Sequence, residues 1–365
     1  MAKRIIISGG GTGGHIFPAI SIANALKRID PETEILFVGA KGRMEMEKVP
    51  AAGYKIEGLP IQGFQRKSIL KNLLLPFKIL ASLAKAKALI RDFKPDAAVG
   101  VGGYASGPLL HAAGRENIPY LIQEQNSYAG LTNKRLGAKA ERICVAFDGM
   151  DRFFPADKIL LTGNPIRKDS VRIEGKREEA LSSFGLSPDK KTILVTGGSL
   201  GAGTLNRSML AGMFRFMSED VQVIWQTGKY YYQSVKEEIG DTAGPSVKIT
   251  EFLNRMDLAY AAADVIVARA GAGTIAELCV VKKPVILVPS PNVAEDHQTK
   301  NALSLVNKGA AILVKDDRAE KELADVVLGL LKDTSKCEEL SRTIGALALP
   351  DADEVIAREV FKIAK

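Results

Sequence analysis

The sequence predicts an α/β fold with two similar domains, each built on a parallel sheet. Apolar runs bounded by Gly or Pro alternate with helical patterns along almost the whole chain, as in sheets joined by crossover helices. A strand, a glycine-rich turn and a helix start occur together at 4–19 and again at 192–206. The length of 365 residues also exceeds one typical core, at about 150 residues per domain.

The predicted strands follow these apolar runs. In the first half they span 5–8, 34–38, 54–58, 96–99, 120–123, 142–145 and 159–161. In the second half they span 192–196, 222–226, 247–250, 265–268, 285–288 and 311–314. Gly163-Asn164-Pro165 has turn chemistry and lies between the halves, so we place the hinge there. The predicted domains are 1–163 and 164–350.

The last segment, 351–365, is predicted to be an amphipathic helix that joins the first domain. Four apolar residues are expected on one face: Val355, Ile356, Val360 and Ile363. Asp351 and Asp353 have the Asp-x-Asp spacing of some metal sites. They open the helix, where acidic residues are favoured, so we interpret them as capping residues and expect no metal there.

Composition limits the partners and the compartment. The formal net charge of +8 fits an anionic partner, which on charge alone is a nucleic acid, a phosphorylated metabolite or an anionic membrane surface. Cys144, Cys279 and Cys337 are far apart, which indicates neither a disulfide framework nor a zinc site and fits a reducing compartment. The apolar run before the first glycines is too short for a signal peptide, and no run approaches the ~20 residues of a membrane span.

The first glycine-rich turn, at 9–14, predicts a site for an anion. Glycines let the backbone turn sharply, and the helix that follows presents unpaired N–H groups at its positive dipole end. The spacing also matches the dinucleotide fingerprint Gly-x-Gly-x-x-Gly. That fingerprint expects an acidic residue after the second strand, where this chain has Lys41. A dinucleotide is therefore disfavoured, except for a 2′-phosphorylated form that Lys41 or Arg43 would meet.

His15 stands at the mouth of this turn and is one of three histidines in the chain. The positive end of the helix dipole disfavours the imidazolium, so we expect a neutral ring that can accept a proton at pH 7. Two interpretations are open at this point: His15 is a general base, or it merely caps the loop.

A third strand, glycine turn and helix start spans 264–277. Thr274 and Glu277 stand three residues apart, which is the spacing of an ordinary capping box. The functional alternative places a pyrophosphate on the amides of 272–274 and a sugar diol on Glu277, whose carboxylate can accept two hydroxyl hydrogens. The Walker-type Gly-x-x-x-x-Gly-Lys-Ser/Thr is absent, which argues against an ATPase.

The stretch 68–89 interleaves apolar residues with lysines and supports two interpretations. It is either a core helix with a lysine face or a segment that contacts an anionic membrane surface, with Pro76 breaking its apolar cluster. The residues expected to meet the membrane are Leu73, Leu74, Leu75, Phe77, Lys71 and Lys78.

A series of motifs follows along the chain. They are GGGTGGHIFP at 9–18, GGYASGP at 102–108, EQN at 124–126 with AGLTNK at 129–134, GNPIR at 163–167, GGS at 197–199, RAGA at 269–272, and DHQ at 296–298 before NA at 301–302. In this order they resemble the bacterial family that transfers N-acetylglucosamine from UDP-N-acetylglucosamine to undecaprenyl-pyrophosphoryl-N-acetylmuramyl-pentapeptide, turning lipid I into lipid II. The similarity covers nearly the whole chain.

The resemblance implies two Rossmann-like domains with parallel sheets facing a cleft, a fold of the GT-B type, with the donor held by the C-terminal domain. The implied donor-binding residues are Thr12, Gly13, Gly14, Asn126, Arg167, Ser199, Leu253, Ala272, Gly273, Thr274, Glu277, His297 and Gln298. Among these, Glu277 would meet the ribose, and Leu253 the base through its backbone. The implied acceptor-binding residues are Gly103, Tyr104, Ser106 and Gly107. The family is metal-independent, so no metal or cofactor is expected.

The resemblance also implies the reaction, a single inverting displacement at C1 of the sugar. The C4 hydroxyl of the acceptor attacks, UDP leaves, a base takes the hydroxyl proton, and positive dipoles hold the diphosphate. His15 is the expected base and Glu124 the alternative. Two positions depart from the family pattern: Gln123 stands where His is common, and Leu200 stands where Gln is common, which puts a side-chain contact from position 200 in doubt.

The resemblance implies three partners: UDP-N-acetylglucosamine, the lipid-linked acceptor and an anionic membrane surface. It implies no nucleic acid. The implied location is peripheral, on the cytoplasmic face of the bacterial membrane.

Two alternative functions stay open. A related UDP-sugar enzyme, such as a diacylglycerol glycosyltransferase or a UDP-N-acetylglucosamine epimerase, would share the donor turns but not the motifs at 102–108 and 124–126. A dinucleotide-binding regulatory or redox protein would turn over no UDP-sugar.

Overall fold

The structure is a computed structural model that describes residues 2–63, 74–240 and 244–365. The chain divides into two compact units. The first comprises Met1–Ile166 with Leu349–Lys365, and the second comprises Arg167–Ala348. The sequence placed the boundary after residue 163, whereas the first unit continues to Ile166.

Each unit contains one parallel sheet. The strands of the first unit are β1 Arg4–Gly9, β2 Glu34–Ala40, β3 Lys55–Leu59, β4 Ala97–Gly102, β5 Tyr120–Glu124, β6 Arg142–Val145 and β7 Ile159–Leu161, in the order β3-β2-β1-β4-β5-β6-β7. The strands of the second unit are β8 Thr192–Thr196, β9 Gln222–Gln226, β10 Val247–Thr250, β11 Val265–Ala268, β12 Val285–Leu287 and β13 Ile312–Leu313, in the order β10-β9-β8-β11-β12-β13. All the predicted strands are therefore confirmed, with ends that shift by up to a few residues.

Helices connect the strands. In the described residues they are α1 Gly13–Ile29, α2 Glu45–Ala51, α3 Leu75–Phe93, α4 Ser106–Arg115, α5 Leu131–Gly137, α6 Lys168–Val171, α7 Arg177–Phe184, α8 Gly203–Ser218, α9 Tyr232–Ile239, α10 Met256–Ala262, α11 Ala272–Val281, α12 His297–Val306, α13 Ala319–Lys332, α14 Thr334–Gly345 and α15 Ala352–Ile363. None of the helices in these ranges is long and apolar enough to cross a membrane.

The sheet of the first unit is covered on both faces, which is why its strands are continuous apolar runs. Ile5 and Ile7 of β1 join a buried cluster with α1 and α15, whereas Ile6 joins the cluster formed with α3 and α4. In the second unit the fully buried Trp225 donates its indole N–H to Asn206 Oδ1 at 3.0 Å, so its one polar group is satisfied inside the core.

The C-terminal helix α15 packs on the sheet of the first unit through Ile356 and Val360, which are buried. The placement of Val355 on the same face was wrong, because its side chain is exposed. Asp351 occupies the N-cap position without a side-chain capping bond, and Asp353 instead accepts a 2.6 Å hydrogen bond from Arg28 on α1. The expected capping role is therefore replaced, for Asp353, by an ion pair that ties α15 to α1.

Candidate active site

The first glycine turn joins β1 to α1 and packs on the end of the neighbouring strand β4. Its backbone is closed by two hydrogen bonds, from the Gly10 N–H to the Gly102 carbonyl at 3.3 Å and from the His15 N–H to the Thr12 carbonyl at 3.1 Å. The strand order of the sheet reverses at β1. In open α/β sheets this switch point, at the carboxyl ends of the strands, is where ligands bind.

His15 lies against the end of β4. Its Nδ1 is 3.1 Å from the carbonyl oxygen of Gly10, and because a carbonyl can only accept, we assign the proton of the neutral ring to Nδ1. In this tautomer Nε2 carries the lone pair that can accept a proton, which is what a general base requires. The ring lies so close to Gly102 that a Cβ on that residue would come within 2.8 Å of Nε2.

The two glycines at the end of β4 are required by this packing. Gly102 and Gly103 have φ angles of +111° and +92°, which favour glycine, and a Cβ on Gly103 would lie 2.4 Å from the Gly10 carbonyl oxygen. Tyr104 follows with an exposed ring, whereas the Ser106 side chain is buried beneath the strand. The start of α4 at Ser106 and Gly107 can therefore meet a ligand through its backbone more readily than through the serine hydroxyl.

Glu124 ends β5 as a buried carboxylate with three hydrogen-bond donors. One oxygen accepts from the Asn126 N–H at 3.1 Å, and the other from the Gly130 N–H at 3.1 Å and the Asn133 side-chain amide at 2.8 Å. These bonds hold the loop that carries Asn126 and the start of α5. Glu124 would have to give up such bonds to accept a proton, which favours His15 as the base.

Gln123, the departure from the family pattern in the first unit, is buried in the same region. Its side-chain amide donates to Asn164 Oδ1 at 2.8 Å, and Asn164 donates to the Gln125 carbonyl at 3.0 Å. Gln123 therefore fixes the Gly-Asn-Pro turn to the end of β5.

A carboxylate that the sequence analysis did not single out lies beneath the first turn. This residue is Glu45, at the start of α2. Its Oε2 accepts a 2.8 Å hydrogen bond from the Gly11 N–H, and its Oε1 accepts a 3.0 Å hydrogen bond from the Ala40 N–H. Because the Gly10 and Gly11 N–H groups are both engaged and a carboxylate lies below them, this turn is a poorer phosphate site than its glycines predicted. No spacing rule links a residue after β2 to the turn after β1, so only the fold could reveal this contact.

The second glycine turn joins β8 to α8 in the other unit. Gly201 and Gly228 lie backbone to backbone: a Cβ on Gly201 would come within 2.1 Å of the Thr227 carbonyl oxygen. Ser199 and Leu200 are exposed at this turn. Arg269 lies behind it, donating to the Val288 carbonyl at 2.9 Å and pairing with Asp316.

The third turn begins α11 and does not form a capping box. Gly271 is the N-cap residue and no side chain caps the helix, so Thr274 and Glu277 are too far along α11 to cap each other. The capping interpretation was therefore wrong. The N-terminus of α11 carries the positive end of the helix dipole, which suits a phosphate.

Glu277 pairs with Tyr260, a buried residue of α10 that the sequence analysis missed. The tyrosine hydroxyl donates to Glu277 Oε2 at 2.9 Å, which leaves Oε1 for a ligand hydroxyl. Burial raises the pKa of Glu277, while the Tyr260 hydrogen bond and the Arg167 charge act in the opposite direction. Burial and the nearby carboxylate together raise the pKa of Tyr260 well above its usual value, so the tyrosine stays a donor.

Three further predicted residues of the second unit are placed by backbone contacts. The Leu253 N–H donates to Gln226 Oε1 at 2.9 Å, so the Leu253 carbonyl is the group left for a base. His297 and Gln298 begin α12, after Glu295 and Asp296, which both have a φ of +53°. Gln298 Oε1 accepts the Ser290 N–H at 2.9 Å, which leaves its amide N–H groups for a sugar hydroxyl.

The described start of α3 carries exposed apolar side chains. Phe77 is 70% exposed, and Leu74, Ile79 and Leu80 are also exposed, whereas Lys78 donates to Gln62 at 2.7 Å. These exposures contradict a core position for this end of α3. Lys71 and Leu73, predicted to contact the membrane, lie outside the described residues.

Two family models match this chain. The N-terminal domain model of glycosyltransferase family 28 matches residues 5–145, and the C-terminal domain model matches residues 192–356. Among curated proteins, the chain is 59% identical to the UDP-N-acetylglucosamine–N-acetylmuramyl-(pentapeptide) pyrophosphoryl-undecaprenol N-acetylglucosamine transferase of Bacteroides fragilis, over 100% of this chain and 96% of that protein. It is 51% identical to the transferase of the same name from Flavobacterium psychrophilum, over 99% and 98%.

Solved structures give the same result. The crystal structure of Acinetobacter baumannii MurG aligns with a TM-score of 0.82 at 28% identity, covering 99% of each chain. A UDP-N-acetylglucosamine 2-epimerase aligns with a TM-score of 0.68 at 20% identity, covering 99% of this chain and 95% of the other, which is a likeness of fold alone. The chain thus belongs to glycosyltransferase family 28, with its two parallel-sheet domains of the GT-B type, and within it to the family of these N-acetylglucosamine transferases.

Proposed function

We propose that the chain transfers N-acetylglucosamine from UDP-N-acetylglucosamine to the C4 hydroxyl of the N-acetylmuramyl unit of lipid I, giving lipid II for peptidoglycan synthesis. The observation that carries this proposal is the full-length similarity, at 51–59% identity, to transferases whose names specify this donor and acceptor chemistry. The positive dipole end of α11 and the Glu277 carboxylate on the same helix support a nucleoside diphosphate in the second unit.

In this proposal the second unit binds the donor. The dipole of α11, with Arg167 and Ser199, holds the diphosphate, and Glu277 Oε1 accepts a ribose hydroxyl hydrogen. The Leu253 carbonyl meets the base, and His297 and Gln298 meet the sugar hydroxyls. The amides of 272–274 donate to the leaving diphosphate, and no metal ion is part of the proposal.

The first unit binds the acceptor and supplies the base. Thr12, Gly13 and Gly14 of the first turn, together with Asn126, contact the transferred sugar, and the segment 103–107 contacts the acceptor. His15 Nε2 takes the proton of the C4 hydroxyl as its oxygen forms a bond to C1 of the sugar. The bond from C1 to the diphosphate oxygen breaks, and UDP leaves with that electron pair.

A thermal-shift comparison separates this proposal from a dinucleotide-binding protein. UDP-N-acetylglucosamine at 100 times its Kd should stabilise the protein by about 2.7 kcal/mol, whereas NADPH at the same concentration should leave the melting temperature unchanged. Stabilisation by NADPH alone would contradict the proposal. An epimerase would also be stabilised by the UDP-sugar, but it would consume no lipid acceptor.

Tyr260→Phe tests the donor site. Removing the hydroxyl takes away a hydrogen bond that lowers the pKa of Glu277, so less of the carboxylate is ionised at a given pH. We expect the donor KM to rise about threefold to tenfold, equivalent to ~1 kcal/mol. We also expect the increase of the donor KM at low pH, where Glu277 becomes protonated, to begin at a higher pH than in the wild type. Steady-state kinetics across pH measure both effects, with the exposed Tyr230→Phe as the control. An unchanged donor KM would mean that the pair does not serve binding.

The start of α3 supports a peripheral position on an anionic membrane at the cytoplasmic face. Exposed apolar residues at Leu74, Phe77 and Leu80 favour insertion into the interfacial region, and the positive net charge of the chain favours an anionic leaflet. A cavity of about 470 Å³ adjoins this surface and is lined in part by Ile79 and Tyr104. The lipid of the acceptor would then reach the first unit from the membrane.

Replacing Leu74, Leu75 and Phe77 together with Ser should release the protein from anionic vesicles while the fold stays intact. Phe77 is 70% exposed, so its loss should cost far less than the about 2–5 kcal/mol of a buried large side chain. Vesicle pelleting and the melting temperature measure the two effects. Phe214→Ser, which removes an 80% exposed ring from the second unit, is the matched control. Unchanged pelleting of the triple variant, or its unfolding, would contradict the membrane role.

A further inference from the structure

Glu45 is placed beneath the first glycine turn as part of the fold. The residue is 1% exposed, and its two carboxylate oxygens accept separate backbone N–H groups, from Gly11 and from Ala40. Two glycines leave room for the Glu45 side chain. A Cβ on Gly10 would lie 2.2 Å from Glu45 Oε1, and a Cβ on Gly39 would lie 2.5 Å from Glu45 Cγ. Glycine is therefore needed both in the first turn, at Gly10, and in β2, at Gly39, so that the Glu45 side chain fits between them.

The carboxylate reaches His15 through a single peptide group. The Gly11 N–H that donates to Glu45 Oε2 at 2.8 Å and the Gly10 carbonyl that lies 3.1 Å from His15 Nδ1 belong to the same peptide unit. A carboxylate that accepts from the N–H polarises the carbonyl of that unit and strengthens it as an acceptor. The Nδ1 proton is then held in place, and Nε2 stays unprotonated.

Glu45 near the first glycine turn and Asp316 near the second differ in whether a cation pairs with them. Asp316 is paired with Arg269, whereas Glu45 forms no ion pair with any residue in the described ranges. Its negative charge is therefore available to act on the peptide group above it.

We propose that Glu45 is a positioning residue that fixes the tautomer and orientation of His15 through the peptide group between Gly10 and Gly11. This rests on the proposed role of His15 as the base. The arrangement does for the histidine what a directly bonded carboxylate does in other carboxylate–histidine pairs, with one peptide unit inserted.

Nitrogen-15 NMR of the histidine rings tests the proposal without substrate. The chain has three histidines, so the His111→Ala and His297→Ala variants assign the His15 signals in the wild type. At a pH where the ring is neutral, we expect Nδ1 protonated and Nε2 unprotonated in the wild type, and a mixture of tautomers in Glu45→Gln. A wild-type ring protonated at Nε2 overturns the proposal, whether or not the variant folds.

Steady-state kinetics of the Glu45 variant are a second test of the proposal. Glu45→Gln should lower kcat about 10- to 100-fold while the donor KM stays within about threefold, as expected for a group that orients a reacting side chain without touching the substrate. Glu47→Gln, on the same helix with a 79% exposed carboxylate, should keep wild-type kcat. Asp96→Asn, which weakens a carboxylate bond to the Arg4 N–H at the far end of β1, should lower stability but keep kcat.

Equal losses of kcat in the Asp96 and Glu45 variants would show a general effect of destabilisation and overturn the proposal. So would wild-type kcat in Glu45→Gln. If instead the wild type itself gives no transfer to a lipid I analogue, the proposed function fails, and the NMR result on the tautomer still stands on its own.

Discussion

Replacing His15 with alanine is expected to lower kcat by roughly 10²- to 10⁴-fold, the usual range for a lost general base, while the donor KM changes little. The reason is geometric: Nδ1 is engaged by the Gly10 carbonyl, so Nε2 is the atom that can take the proton. Steady-state kinetics with saturating acceptor measure the effect. The acid limb of the pH–rate profile, which reports the base, should disappear in the variant.

Two controls make this result specific. His111→Ala removes an exposed histidine of the same unit and should leave kcat unchanged. Glu124→Gln should lower activity by loosening the Asn126 loop, but should keep the acid limb of the pH profile, since the three hydrogen bonds to Glu124 indicate a structural role. If His15→Ala keeps most of its kcat, or keeps the acid limb, Glu124 becomes the residue to examine as base.

Glu277→Ala is expected to raise the donor KM about 10- to 100-fold and to change kcat far less. A hydrogen bond to a charged group contributes about 1.5–3 kcal/mol, and Glu277 Oε1 would lose such a bond to the ribose. Because burial raises the pKa of Glu277, the wild-type donor KM should also increase as the pH falls through that raised pKa and the carboxylate is protonated. Donor KM measured across pH checks both effects.

Glu277→Gln is the matched variant, since it keeps the size and one acceptor oxygen but removes the charge. Its donor KM should lie between those of the wild type and Glu277→Ala and should lose the acid dependence. A collapse of kcat with unchanged donor binding would contradict the binding role and assign Glu277 to the chemistry instead.

The fold could be predicted from the sequence because its signals are local. Most strands of both sheets are short apolar runs with a Gly or Pro near one end, and the three glycine turns mark where strands give way to helices. The motif Gly102-Gly103-Tyr104 was recognised by resemblance, and the structure gives its physical reason, since a Cβ on either glycine would strike His15 or Gly10.

The contacts that tune the site could not be predicted, because they join residues that are distant in sequence. Glu45 meets Gly11 from another element, and Tyr260 meets Glu277 from the preceding helix. The spacing of Thr274 and Glu277 was misleading for a related reason. A capping box depends on which residue is the N-cap, and that position was taken by Gly271.

Product analysis with a lipid I analogue and UDP-N-acetylglucosamine tests the central proposal most directly. We expect the acceptor to gain one N-acetylglucosamine, linked to C4 of the N-acetylmuramyl unit with inverted configuration at C1, and one UDP to be released for each transfer. Mass spectrometry measures the gain, and NMR of the product identifies the linkage. Conversion of the UDP-sugar while the acceptor stays unmodified, or retention of configuration at C1, would contradict the proposal.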